Sequence, residues 1–89
     1  MRWLRAAFIV LLVFVPTLIA EGQSRPPALF PTEQEAQQHC PSDIVVWLNL
    51  PSGIYHFKGE RWCGATKSGA FVCQKEADKA GDRATRNGQ

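Results

Sequence analysis

The stretch Asp43-Ile44-Val45-Val46-Trp47-Leu48-Asn49-Leu50-Pro51-Ser52-Gly53-Ile54-Tyr55-His56-Phe57 decides the fold. Ile44 to Leu48 are mostly β-branched or aromatic, which suits a pleated, half-buried surface and predicts a strand over Asp43 to Leu50. Pro51-Ser52-Gly53 is a turn signal. Ile54 to Phe57 then reads as a second, short, aromatic strand. Alternation puts Tyr55 and Phe57 on one face and Ile54 and His56 on the other.

Upstream, Pro31-Thr32-Glu33-Gln34-Glu35 is a helix start, because Thr32 can cap and Glu35 stands three residues later, as a capping box requires. The helix runs from Glu33 to about His39, and Pro41 stops it by disfavouring helical geometry in the residue before it. Downstream, Lys58-Gly59-Glu60 turns the chain, and Arg61-Trp62-Cys63 reads as a third strand or an extended loop. Gly64 to Gly69 is polar and turn-rich, and Gly69-Ala70-Phe71-Val72 is a last short strand. Cys73 opens a helix over Gln74 to Ala80, ended by Gly81 where a left-handed residue is wanted. The expected architecture is a small single α+β domain. A short antiparallel sheet lies between a preceding helix and a C-terminal helix.

The first residues carry a different signal. Arg2 and Arg5 form a positive start, Ala6 to Ile19 is uncharged and mostly apolar, and Ala20-Glu21-Gly22 has the small-x-small pattern of a signal peptidase site. Residues 1–22 therefore read as a secretory leader forming a signal helix, cut after Gly22 or, as the close alternative, after Ala20. An uncleaved leader would be the chain's one membrane contact, and the positive-inside rule would still export the remainder of the chain. Residues 23–31 are polar and Pro-rich and read as a flexible spacer. Residues 32–89 form the domain, with 82–89 a polar tail expected to fray.

Removing residues 1–22 takes Arg2, Arg5 and Glu21 from 10 basic and 8 acidic side chains, leaving 8 and 7, a net charge of +1 on 67 residues. That balance lacks the strong basic excess usual in nucleic-acid-binding domains. A chain this short buries a modest fraction of its surface and often needs a covalent or metal staple. Cys40, Cys63 and Cys73 all lie beyond the leader, and an oxidising compartment would pair two of them. Three pairings exist, and spacing alone does not choose between them.

His39, Cys40, His56, Cys63 and Cys73 are the soft metal-ligand types. A structural zinc site wants four converging ligands in closely spaced pairs. His39 and Cys40 are adjacent and do not easily reach one ion, and the others stand alone, so no metal site and no cofactor are expected. A thiol nucleophile needs a nearby base and an orienting group. His56 lies seven residues from Cys63, but no third group is evident. Cys63 and Cys73 are ten apart, which is not the C-x-x-C spacing of redox catalysts. Glu33 and Glu35 are explained by the helix start, and Glu76 and Asp78 with Lys75 and Lys79 read as a solvated helix face. Tyr55, His56, Phe57, Lys58, Arg61, Trp62 and Lys67 make a basic–aromatic stretch able to stack bases or sugars. Trp47, Tyr55, Phe57, Trp62 and Phe71 are also the natural core of so small a domain. The candidate ligand surface is therefore His56, Lys58, Arg61, Trp62 and Lys67.

The run Cys40-Pro41-Ser42-Asp43, Val45 to Asn49, Ser52 to Gly59, Arg61-Trp62, Gly64, Thr66 to Gly69, Phe71 to Cys73 and Glu76-Ala77-Asp78 resembles a group of small exported bacterial proteins with no assigned activity. In layout its C-terminal part is similar to the Ada-type metal-binding module, and related exported modules stand beside secreted nuclease domains. Residues 74–89 hold no Cys, so that module's four-cysteine zinc set does not carry over. Relatives place Tyr where this chain has Cys63. The resemblance thus implies a Cys40–Cys73 bridge and leaves Cys63 as a free thiol, open to an intermolecular disulfide. The expected function is a non-enzymatic binding or structural module of the periplasm or cell exterior, its partner a protein or an envelope polymer. The alternatives are a nucleic-acid-binding accessory module and a zinc-binding Ada-like module.

Overall fold

The computed structural model describes residues 25–89. The leader expected over residues 1–22 lies outside the described residues. Helix α1, Glu33–His39, starts where the Glu35 N–H donates to the Thr32 hydroxyl at 3.1 Å, the cap its sequence encodes. Strands β1 (Val45–Asn49), β2 (Ile54–His56) and β3 (Gly69–Cys73) come next, then helix α2 (Gln74–Lys79) and strand β4 (Arg83–Ala84). The sheet order is β3-β1-β2-β4.

β1 pairs antiparallel with β2 and β3, with Leu48 opposite both Tyr55 and Ala70, and Trp47 opposite both His56 and Phe71. Directly opposed residues share a face, so register sorts the side chains. Val46, Leu48, Tyr55 and Val72 form one face and are buried with Ala77 of α2; Phe57 and Ala84 pack at the margin. The Tyr55 hydroxyl donates to Asp78 Oδ1 at 2.6 Å and accepts from Gln74 Nε2 at 3.1 Å, which fixes α2 on this face. The other face carries Val45, Trp47, Phe71, Cys73 and His56. α1 lies on that side, because Cys40, which ends it, is disulfide-bonded to Cys73 across a Cα–Cα distance of 6.4 Å.

The Cys40–Cys73 bridge is present, and Cys63 is the free thiol. An internal disulfide fits a non-reducing environment. Cys73 also stands at the start of α2 but gives it no side-chain cap. Asp43 does this instead, its Oδ2 accepting from the Lys75 N–H at 2.9 Å. Gly69 faces the indole of Trp47: a Cβ there would collide with Cε2 and Cζ2 of the ring and with the Leu48 carbonyl.

Four local expectations change. The sheet is mixed rather than antiparallel, because β4 runs parallel to β2, a pairing that needs a crossover; the long return through β3 and α2 provides it. β4 arises in the tail expected to fray: Arg83 N–H donates to Gly53 O at 2.9 Å and Thr85 N–H to Tyr55 O at 3.0 Å. The segment read as a spacer is docked at its end, where Phe30 and Phe71 exchange both main-chain bonds at 2.9 Å and the Ala28 N–H donates to Glu76 Oε1 at 3.1 Å. Arg61 to Cys63 belongs to a series of turns and is not a strand. Polar or Pro-rich composition hides the tail and spacer contacts, since main-chain groups seek partners whatever side chains they carry.

Candidate functional site

The face of the sheet not covered by α2 opens into a cleft of about 380 Å³ at its β2–β4 side. β1 contributes Asn49 and β2 contributes Ile54 and His56, residues whose register turns them away from α2. The turns after β2 bring in Trp62 and Thr66, and the chain after β4 returns with Thr85, Asn87 and Gln89. Two hydrogen bonds hold these pieces together. The Trp62 N–H donates to the Gln89 main-chain oxygen at 2.8 Å, and Trp47 Nε1–H donates to the Thr66 hydroxyl at 2.8 Å.

His56 is the buried polar residue of the cleft. It is 7% exposed, and its Nδ1 is buried with no hydrogen-bond partner among the described residues. Trp62, by contrast, is 39% exposed, and the Arg61 guanidinium carbon sits 4.9 Å from its ring centroid. The rim is already organised. Asn49 Nδ2 donates to the Ser52 hydroxyl at 2.8 Å, and the Thr85 hydroxyl donates to Asn87 Oδ1 at 2.7 Å. Among the described residues, none of the lining side chains is an acid, a lysine or an arginine.

Of the five residues expected to form a ligand surface, His56 and Trp62 meet in this cleft, and Arg61 stacks on Trp62. Lys58 turns away to α1, with Nζ 3.3 Å from Glu33 Oε2, and Lys67 is exposed outside the lining. Asn49, Ser52, Thr66, Thr85, Asn87 and Gln89 escape a motif search because uncharged polar residues in four separate segments form no pattern along the chain.

The metal-ligand types gather elsewhere. His39 and Glu76 lie beside the Cys73 sulfur, as do Cys40 and Asp43, with ligand atoms within 4.8 Å of one another in each group. His39 and Cys40 belong to different groups, which share only the Cys73 sulfur. Zinc takes thiolates, however, and here the two sulfurs are bonded to each other. Glu76 is not simply a solvated carboxylate: its Oε2 lies 2.8 Å from His39 Nε2 while its Oε1 accepts from Ala28. It clasps α2 to α1 and to the preceding segment.

Cys63 is half-buried, and burial first, then Glu33 and Glu60, push its thiol above the ordinary value. That is the opposite of the electropositive setting that activates a cysteine. Burial, and after it the neighbouring Asp78, likewise raise the Asp82 carboxyl, whose Oδ2 is buried without a partner among the described residues. Among the described residues no helix is long and apolar enough to cross a membrane. Compared with known protein families, curated proteins and solved structures, the chain matches none.

Proposed function

We propose that this chain is an exported, non-enzymatic binding module whose ligand seat is the His56–Trp62 cleft. The observation that carries the reading is the pairing, in one concavity, of a buried histidine holding an unpartnered nitrogen with a half-exposed tryptophan. Concave sites with a few convergent polar groups and an aromatic wall are where small ligands bind. Export is supported by the leader-like pattern of residues 1–22 and by the internal disulfide. The non-enzymatic part is supported by Cys63, whose surroundings favour the inert thiol.

The test joins both halves. The chain is expressed with its leader, recovered after export, and co-sedimented with a cell-envelope fraction. The recovered protein should begin at Gln23, and the wild type should sediment while Trp62→Ala stays in solution. Equal sedimentation of the two would remove the cleft from the reading. A nucleic-acid role is the second reading, favoured by Arg61 on the Trp62 ring and by Arg83 and Arg86 in an adjoining groove.

A further inference from the structure

We infer that the His56–Trp62 cleft binds an uncharged polyhydroxylated ligand, a sugar unit of a neutral glycan. This rests on the binding-module reading and names its ligand class. Charge is the first discriminator. The wall of the cleft contains hydroxyls and carboxamides from Asn49, Ser52, Thr66, Thr85, Asn87 and Gln89, and among the described residues no acidic, lysine or arginine side chain. Such groups both donate and accept, which is what a ring of sugar hydroxyls requires. A phosphate-bearing ligand would instead call for cations in the wall.

Trp62 supplies the apolar half. A sugar ring has a flat C–H face, and an exposed indole offers a matching surface with little conformational freedom to lose. The Arg61 guanidinium lies against the ring, and the main-chain bond from the Trp62 N–H to the Gln89 oxygen anchors the backbone that carries it. Preorganisation of this kind lowers the ordering cost of binding.

His56 supplies the specific contact. Its Nδ1 is buried and unpartnered. A buried polar atom left without a partner carries a desolvation cost, donor or acceptor alike. An imidazole can exchange a hydrogen bond with a hydroxyl, and His56 lines the cleft where one would sit. A volume of about 380 Å³ lies near the small end of ligand pockets and suits a terminal sugar unit better than a folded partner.

The experiment is a ¹H–¹⁵N titration of the exported chain with chitotetraose, cellotetraose and maltotetraose. Each is taken to about 10 mM, high enough to reveal a millimolar Kd. One of them should move the Trp62 indole N–H and the Asn49 and Asn87 side-chain amides together. Trp62→Ala and Asn87→Ala, both at exposed residues, should each weaken that binding, the first by about tenfold or more. Lys67→Ala should leave it unchanged, and so should added salt, since no phosphate is engaged. If none of the three sugars moves these signals while envelope sedimentation still depends on Trp62, the glycan inference is overturned and the binding module stands. If sedimentation fails as well, both fall. Salt-sensitive movement of the same amides by an oligothymidylate, with none by the sugars, reassigns the cleft to nucleobases and also overturns the inference.

Discussion

Gly69 shows how little room the sheet leaves at single positions. The Trp47 indole occupies the space where its side chain would be, and that indole also holds Thr66 at the cleft. Gly69→Ala should destabilise the fold by about 1–3 kcal/mol, the usual cost of forcing a methyl into a packed site, read as a lower urea midpoint. Because Trp47 must move, the substitution should also disturb the Thr66 signals. Asp82 makes a different prediction. Its carboxyl is raised in the folded state, so the folded chain holds that proton more tightly than the unfolded chain does. Stability from this group is present at acid pH and is lost as pH rises through the ordinary carboxylate range to the folded value. Asp82→Asn stays neutral throughout. It should melt higher than wild type at pH 7, and the difference should vanish near pH 3; a gain of equal size at both pH values would contradict the ionisation account.

At the scale of elements, β4 is the informative case. Arg83 donates to Gly53, just before β2, and Thr85 to Tyr55 within it, so the Ala84 N–H between them points to the open edge. Hydrogen exchange should therefore alternate, slow at Arg83 and Thr85 and fast at Ala84; uniform fast exchange would mean that the strand does not persist. β4 is not legible in the sequence because a two-residue edge strand needs only main-chain partners. The Phe30–Phe71 pairing is hidden for the same reason: it joins residues far apart along the chain through backbone groups alone. By contrast, α1 is legible from Thr32 and Pro41, and β1 and β2 from the alternation around Pro51-Ser52-Gly53. These signals are local, and sequence patterns carry local physics well. The cleft falls between the two cases. His56 and Trp62 stand out by residue type, whereas Asn49, Thr66 and Asn87 acquire meaning only once the sheet brings them together. Lys58 leaves the expected surface because its ammonium pairs with the Glu33 carboxylate of α1.

For the molecule as a whole, the disulfide dominates. Its ends are 33 residues apart. Closing a loop of that length constrains the unfolded chain by about 3–4 kcal/mol. At about 0.05–0.15 kcal/mol per residue, a domain of this size has a net stability not much larger than that. Reduction should lower the melting temperature by about 15–30 °C, measured by circular dichroism with and without dithiothreitol. A shift of only a few degrees would show that packing alone holds the fold. The position of the bond has a consequence beyond stability. It links the end of α1 to the start of α2, so β1, β2 and all the turns that shape the cleft lie inside one covalent ring. A protease that cuts once between Pro41 and Val72 opens that ring without releasing a fragment. Nicked chains should run as one species on a non-reducing gel and as two after reduction. In the exported setting proposed above, a single cut at an exposed turn would then be damage that the molecule survives in one piece.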